Sequence, residues 1–375
     1  MKNVAIVGGG IVGTFVAHYL SHGANSNQFN VTMFDDGHGQ ATKAAAGIIS
    51  PWLTKRRNQQ WYRLARCGAR LLSDLAKQLP FPNSVYRQTG TIITRNSRRR
   101  VDDLYQLALR RRAQAPTMGR IIRLSADEVQ SALPLLSRSL PGVMVTGGAK
   151  ISGSELTKFL VHRARKINLR VVKHRIQLVS PNKLNVNGHL EHFDWIVIAT
   201  GAWIRQTLRP LGILADVRPQ KGQLICLKIN SKIPFSQLPV LMPEGEYDFL
   251  PFANGRLVIG STHEDNHQFD LVPEPSASQK LLATAQHLIN GITSNQIVET
   301  RTGTRGYTSD FGPFFGRVPH YRHLLVGGGL GSSGLTTGPI IGKFLAQIIN
   351  HQLNINPADY EKPIQKYFRF EGPAK

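Results

Sequence analysis

Three glycines near the start of the chain have the spacing of a phosphate-binding turn. They are Gly8, Gly10 and Gly13, and they follow the apolar run Val4–Val7 and precede a run with helical character. In such a turn the first glycine allows the tight bend, the second lets the backbone approach a pyrophosphate, and the third lets the helix pack on the strand. The helix N-terminus then presents unpaired N–H groups to the phosphates, so this segment, with Ile11 and Val12, predicts a dinucleotide site.

A carboxylate follows the next apolar run at the distance that this site requires. The run 31–34 ends at Asp35, which lies 22 positions after Gly13. A carboxylate there can accept both hydrogen bonds from an adenosine ribose. Asp36 is the alternative acceptor, and we favour Asp35 because it directly ends the strand.

The elements that would position these residues do not continue as a simple nicotinamide-binding fold. After Asp35 the chain enters a loop of small residues, 41–52, which would let the backbone lie against an extended cofactor. Much later, residues 193–203 read as a buried strand ending in a glycine turn. From these two segments the expected cofactor contacts are Thr42, Ala45, Ala46, Gly47, Gly201 and Trp203. Ile176 is included with them, and the cofactor that this layout favours is FAD.

A second glycine triplet near the C-terminus comprises Gly329, Gly331 and Gly334. Only 41 residues follow Gly334, and they contain no second strand ending in an acid, so there is no room for an NADPH domain. We therefore expect a helix that begins with Leu335 and Thr336 and points its positive end at the flavin pyrimidine.

In this order the segments resemble the D-amino-acid oxidase (DAO) family of FAD oxidoreductases, which includes glycine oxidase and sarcosine oxidase. The resemblance covers essentially the whole chain. It rests on residues 44–47, on 198–203 and on the strand 255–262. The chain is most similar to the glycine oxidase and YurR-type bacterial subgroup, through 51–53, 56–62, 68–70 and 262–265.

The resemblance implies an α/β fold in which a Rossmann-like FAD-binding domain of the GR2/DAO type carries an inserted antiparallel-sheet substrate domain. The FAD-binding domain would take residues 1–80, 150–215 and 300–375, and the substrate domain 81–149 and 216–299. The substrate sheet would contain 223–228, 247–250 and 256–260.

The resemblance also implies candidates for substrate handling. Arg305 occupies the place of the family's carboxylate-binding arginine, although an ion pair with Asp310 is the alternative. The family often places a tyrosine hydroxyl over the flavin from a Y-x-x-P element, and here Asp248 has that spacing from Pro251 while Tyr247 lies one residue earlier. Tyr247 is the candidate hydroxyl, and Asp248 is an alternative that would recognise a substrate amine. His263 is the third candidate catalytic residue.

The implied activity is oxidation of the carbon–nitrogen bond of glycine, a D-amino acid or an N-substituted glycine, by hydride transfer to flavin N5. The net charge of +23 leaves a second substrate class open. Basic clusters at 55–57, 98–100, 110–112 and 163–175 are typical of solvated faces, but they also fit RNA. A tRNA wobble-uridine enzyme similar to the oxidase part of MnmC, acting on a carboxymethylaminomethyl group, is the alternative.

Other features of the sequence exclude several classes of protein. The chain enters an apolar strand at once without the parts of a signal peptide, and no apolar stretch reaches the roughly 18 residues of a membrane span, so we expect a cytoplasmic protein. Its two cysteines, Cys67 and Cys226, are too few for a disulfide framework, and histidines and cysteines lack metal-ligand spacing, so no metal site is expected.

Overall fold

The computed structural model describes residues 1–54, 58–266 and 269–371. The basic cluster 55–57, and with it part of the segment 56–62 that resembles the YurR-type subgroup, lies outside the described residues.

The strands of the described residues are as follows, in chain order: β1 (Lys2–Val7), β2 (Phe29–Phe34), β3 (Ile48–Ile49), β4 (Tyr86–Gln88), β5 (Thr91–Thr94), β6 (Ile121–Leu124), β7 (Gly142–Val145), β8 (Ala149–Ile151), β9 (Leu169–Val172), β10 (Gln177–Ser180), β11 (Lys183–Val186), β12 (His189–His192), β13 (Trp195–Ile198), β14 (Ile213–Ala215), β15 (Arg218–Lys228), β16 (Val240–Met242), β17 (Asp248–Phe252), β18 (Arg256–Gly260), β19 (Ile297–Tyr307), β20 (Phe314–Arg317), β21 (Leu324–Gly328) and β22 (Phe368–Phe370).

The α-helices of the same residues are as follows: α1 (Ile11–His22), α2 (Ala41–Ala44), α3 (Gln59–Gln78), α4 (Arg98–Arg112), α5 (Ala126–Ala132), α6 (Gly153–Arg165), α7 (Ile204–Leu208), α8 (Pro275–Leu288) and α9 (Gly334–Ile349). None of these helices is long and apolar enough to cross a membrane.

The first sheet is mostly parallel and has the strand order β20-β21-β13-β1-β2-β9 in the described residues. Its central strand β1 pairs in parallel with β2 and β13, while β20 is an antiparallel edge. Residues 4–7 of β1 are buried because helices α1, α6 and α9 cover one face of the sheet, and the hairpin strands β10 and β11 with α7 cover the other. A continuous apolar strand is what burial on both faces requires.

The second sheet has the order β19-β15-β18-β17-β16-β5-β7-β6 in the described residues, and each pair is antiparallel except β16 with β5. One face packs on α5 and α8, where Ile225, Phe249 and Ile259 join the apolar side chains of Val129 and Leu281. The three segments expected to share the substrate sheet lie together in it. The α/β class and the two-sheet architecture agree with the sequence-based expectation.

The border expected at residue 300 falls inside β19. That strand pairs along its length with β15, from Arg218 opposite Tyr307 to Leu227 opposite Ile297. By strand pairing, residues 297–307 lie in the second sheet.

Candidate functional site

A cavity of about 640 Å³ runs from the carboxyl ends of the first sheet to one face of the second sheet. Residues that follow β1, β2, β13 and β21 line it, as expected for a ligand site at the carboxyl edge of a parallel sheet. The predicted site residues that line the cavity are Gly8, Gly10, Ile11, Val12, Asp35, Thr42, Ala45, Ala46, Gly47, Ile176, Gly201, Trp203, His263, Gly329, Gly331, Arg305, Gly334, Leu335 and Thr336. Gly13 and Tyr247 are the two that do not.

The glycine turn after β1 has the backbone geometry that its spacing predicts. Gly8 has a φ of 106°, and a Cβ placed on it would lie 2.4 Å from the carbonyl oxygen of Ala199. A Cβ on Gly13 would lie 1.9 Å from the carbonyl oxygen of Gly8. Gly13 therefore serves helix packing without reaching the cavity, while Gly10 faces it.

The N-terminus of α1 lies at the cavity with no side-chain cap and no acidic residue in its first turn. The N–H of Ile11 donates to Thr42 Oγ1 over 2.9 Å, and among the described residues it is the one N–H of this first turn that a side chain accepts from. The positive end of α1 is thus available to an anionic group, and the arrangement fits a pyrophosphate.

Asp35 and Asp36 have different surroundings. The Asp35 carboxylate lies against Gly9 and accepts hydrogen bonds from Gln40 Nε2 at 2.7 Å. Asp36 accepts from the backbone N–H of His38 and pairs with Arg175 at 3.1 Å. Because Asp36 is already paired with a cation, the geometry favours Asp35 as the ribose acceptor.

The other end of the cavity is built from the small-residue loop and from α9. Gly47 has a φ of 102°, and a Cβ on it would lie 2.0 Å from the Ile151 carbonyl oxygen, which holds the loop close to β8. The helix α9 begins without a side-chain cap, because Ser333 Oγ instead accepts from Trp61 Nε1 at 3.0 Å. The small loop and this uncapped helix end fit a flat ring system that gains negative charge. The cavity thus has places that fit the ribose, the pyrophosphate and the flavin ring of FAD.

Arg305 reaches this end of the cavity from β19. It is buried, with 8% exposure, and donates to Gln220 Oε1 (2.8 Å), Ser261 Oγ (2.6 Å) and the Thr262 carbonyl oxygen (2.8 Å). A Cβ on Gly222 would lie 2.3 Å from its guanidinium, so that glycine makes room for it. These three bonds use three of the five N–H donors of the guanidinium.

No carboxylate of the described residues lies within ion-pair distance of Arg305. The alternative partner Asp310 instead pairs with Lys362 (2.6 Å) and with Lys366. Burial lowers the pKa of Arg305 to about 10, so the guanidinium stays charged at neutral pH. The hydrogen-bond acceptors of Arg305 are all neutral, and the nearby Glu264 carboxylate raises its pKa only in part, so this buried cation keeps capacity for an anion.

The structure brings Asp248, not Tyr247, to the cavity. Asp248 lies opposite Gly260 across β17 and β18 and lines the cavity, whereas the buried Tyr247 packs in the core beneath the second sheet, with Lys280 Nζ 5.8 Å from its ring centroid. Adjacent residues of an extended segment point to opposite sides, so the one-residue offset from the family spacing decides which side chain faces the ligand.

His263 lies at the cavity with an exposed side chain, in the loop that follows β18. Two residues later, Asp265 accepts a hydrogen bond from the Tyr307 hydroxyl and one of 2.8 Å from Gln220 Nε2. Both bonds lower the pKa of Asp265. Gln220 therefore joins Arg305 to a carboxylate without direct contact between the two charges.

Sequence reading missed Gln220, Ser261 and Gly222. Gln220 and Gly222 belong to β15, and their sequence signal is the run of polar and small residues in a strand that is otherwise apolar. Ser261 follows Gly260 within the segment 255–262, which carries part of the family resemblance. All three residues lie next to the Arg305 guanidinium because strands that are distant in the sequence pair around it.

The clustered cations differ in what they do. Arg111 donates to the carbonyl oxygens of Trp52 and Thr54 and lies 4.7 Å from the Tyr62 ring centroid, so it holds parts of the fold together. Arg98 and Arg99 are exposed at the start of α4. The charge is thus partly structural and partly a solvated face.

Cysteine and metal chemistry find no support at the site. Cys67 is partly buried and Cys226 is buried, and neither lines the cavity. Among the described residues no group of three or more His, Cys, Asp or Glu side chains is placed to hold a metal ion.

Comparison with known proteins links this cavity to a family. Residues 3–348 match the family model "DAO: FAD dependent oxidoreductase". The chain is 36% identical to the oxidoreductase YurR of Bacillus subtilis (strain 168), over 96% of this chain and 98% of that protein. It is 25% identical to the glycine oxidase of Geobacillus kaustophilus (strain HTA426), over 93% of each.

A solved structure shows the same relationship. The crystal structure of iminodiacetate oxidase (IdaA) from Chelativorans sp. BNC1 aligns with a TM-score of 0.87 and 31% identity. The alignment covers 97% of this chain and 98% of that one. The similarity therefore includes both sheets and the cavity between them.

Proposed function

This chain belongs to the DAO family of FAD-dependent oxidoreductases, and we propose that it oxidises the carbon–nitrogen bond of a small amino acid or an N-substituted glycine. FAD, its cofactor, supplies the two-electron acceptor. Substrate selection and orientation then depend on the residues of the second sheet.

Arg305 is the observation that carries this proposal. It is a buried cation with two N–H donors left over and no carboxylate partner in the described residues, and it faces the end of the cavity that fits the flavin ring. The two N–H groups left over, Nε–H and one on Nη1, point to different sides of the guanidinium, so a carboxylate would be held by the charge and by a charge-assisted hydrogen bond. Holding the substrate by its carboxylate would bring the adjacent α-carbon to a fixed place, which is the main requirement of such a reaction.

The relatives support the same substrate class. Glycine oxidase and iminodiacetate oxidase are both named for amines that carry a carboxylate. The pairing of Arg305 with three neutral acceptors would leave its charge for such a carboxylate. We therefore assign glycine, N-substituted glycines and D-amino acids as the substrates to be tested first.

The test is a set of matched substrates given to the FAD-loaded protein. N-methylglycine and glycine are compared with methylamine and ethylamine, which keep the amine but lack the carboxylate, and turnover is followed by imine-derived aldehyde or ammonia. We expect turnover of the carboxylate-bearing compounds only. Equal turnover of the simple amines would overturn the role of the carboxylate.

The dependence of activity on salt concentration distinguishes a tRNA-borne substrate from a small amino acid. Binding to a polyanion weakens steeply as the salt concentration rises, because the release of condensed counterions becomes less favourable, whereas binding of one carboxylate in a buried site weakens little. We expect kcat/KM for the small substrate to change little between 50 and 200 mM salt, and hypomodified tRNA not to reduce the flavin. A steep salt dependence together with reduction by tRNA would favour the alternative.

A further inference from the structure

The Asp248 side chain lines the cavity and has no part in the carboxylate binding that we assign to Arg305. Asp248 begins β17, and its carboxylate makes no hydrogen bond or ion pair with the described residues. Burial alone raises its pKa to about 7. A carboxylate left without a partner in a partly closed cavity loses hydration without compensation, so it indicates a ligand group that is positive or donates hydrogen bonds.

The strand order fixes where Asp248 lies relative to Arg305. Asp248 is opposite Gly260, and Gly260 is followed by Ser261, whose Oγ accepts from the Arg305 guanidinium at 2.6 Å. Adjacent strands are about 4.8 Å apart, so the carboxylate and the guanidinium flank the same dipeptide on one wall of the cavity. A substrate whose carboxylate is bound to Arg305 would therefore have the substituents of its α-carbon between the Arg305 guanidinium and the Asp248 carboxylate.

An α-amino acid has complementary groups for both residues. Its carboxylate is one bond from the α-carbon, and its nitrogen is one bond from the same carbon on the other side. With the carboxylate at Arg305, a nitrogen directed towards Asp248 meets an anion rather than a second cation. The arrangement matches the charges of a zwitterion in order and in sign.

The chemistry requires that the nitrogen lose a proton. An ammonium nitrogen has no lone pair, whereas removal of the α-hydrogen with its electron pair needs that lone pair to form the carbon–nitrogen double bond. A carboxylate beside the nitrogen accepts the proton, so the ammonium becomes an amine and the carboxylate becomes a carboxylic acid. Bound FAD would supply the acceptor for the α-hydrogen and its two electrons, and water would hydrolyse the resulting imine.

We propose that Asp248 binds the substrate ammonium group and accepts its proton, and that this carboxylate selects amino acids over 2-hydroxy acids of the same size. The inference rests on the proposed function, because it assigns the amine end of the same site. It makes Asp248 a catalytic residue in the position where the family spacing often has a tyrosine hydroxyl.

The cavity has other charged or titratable side chains, and their variants serve as controls for Asp248. Glu246 also lines it, but that side chain lies 3.4 Å from Lys280 and is exposed. His263 lines it from the loop after β18, and an imidazole has an unperturbed pKa near 6.5, in the range where Asp248 changes charge. Arg305 stays charged throughout that range.

The test compares Asp248→Asn with wild type over a pH series. In wild type we expect kcat/KM for N-methylglycine to rise with pH through about 7, as Asp248 ionises. In Asp248→Asn only the free amine is productive, so the rise moves to the pKa of the amine itself. At two pH units below that pKa about 1% of the amine is free, and we expect a loss of about 100-fold.

A binding measurement gives a readout that does not depend on turnover. Acetate has the carboxylate but no amine, and its binding is followed by the change in flavin absorbance. In wild type its affinity falls as pH rises through about 7, because Asp248 becomes anionic, and in Asp248→Asn it is constant over this range. We expect His263→Asn and Glu246→Gln to keep the pH dependence of acetate affinity that the wild-type protein shows.

The outcomes are distinguishable. An unchanged kcat/KM profile in Asp248→Asn with normal FAD content would overturn the assignment, and so would loss of the acetate pH dependence in His263→Asn with its retention in Asp248→Asn. Failure of the proposed function gives a different result, since the wild-type flavin would then not be reduced by any amine-bearing carboxylate. Asp248→Glu, which keeps the acid, should restore part of the low-pH profile.

Discussion

Replacement of Arg305 by alanine removes the cation that we assign to the substrate carboxylate. Three of its five N–H donors are used by Gln220, Ser261 and Thr262, which leaves two for a ligand. A hydrogen bond to a charged group is worth about 1.5–3 kcal/mol, and water recovers part of the loss in the vacated space. We expect carboxylate binding to weaken by at least about 2 kcal/mol, or roughly 30-fold in Kd.

The assay is a titration of acetate into FAD-loaded protein, read from the flavin absorbance. Arg301→Ala is the matched control, because it removes the same charge from the same strand, where Arg301 pairs with Glu299 at 2.9 Å and does not line the cavity. Arg305→Lys keeps the charge but loses the planar fork, so its Kd should lie between wild type and Arg305→Ala.

Two further results bear on the same substitution. Arg305 donates three hydrogen bonds within the fold, so Arg305→Ala, which leaves their acceptors unpaired, should lower the unfolding free energy, and the acetate Kd is compared at matched FAD content. An acetate Kd equal to that of wild type, or an equal weakening in Arg301→Ala, would refute the assignment of Arg305 to the carboxylate.

Three other predictions concern the cofactor and stability. In Gly10→Ala the added Cβ has its nearest contact at 3.4 Å, with Thr42 Oγ1, so the chain should fold but release FAD on dilution; retained FAD would contradict the pyrophosphate assignment. Asp35→Asn should weaken FAD by about 1–3 kcal/mol and Asp36→Asn should not, as measured by FAD fluorescence; the reverse ranking would make Asp36 the ribose acceptor. Burial raises the pKa of Glu361 to about 8, so the folded state keeps a proton that the unfolded state has lost. The unfolding free energy should therefore fall by up to about 1.4 kcal/mol per pH unit as pH rises towards 8, and Glu361→Gln should remove that slope in urea titrations at pH 6 and 8.

The cofactor end of the site was largely predictable from local sequence. Its glycines are required by backbone geometry, and Asp35 by its place directly after a strand, so short spacings carry the information. Gly13 was also predicted with its packing role, which explains why it lies outside the cavity.

The substrate end depends on pairing between distant strands, which a single sequence does not display. Gln220 meets Arg305 only because β15 and β19 pair in the observed register. The spacing to Pro251 made both Tyr247 and Asp248 candidates. The direction of each side chain, which the structure shows, places Asp248 and not Tyr247 at the cavity.

The most direct measurement of the central claim is anaerobic reduction of the bound flavin. The FAD-loaded protein is mixed without oxygen with glycine, N-methylglycine, iminodiacetate, D-alanine, methylamine, 2-hydroxypropanoate and hypomodified tRNA, and the flavin absorbance is followed. We predict bleaching by at least one amine-bearing carboxylate and none by methylamine or by the hydroxy acid. A flavin that no amine-bearing carboxylate bleaches, or that methylamine bleaches equally, would contradict the account.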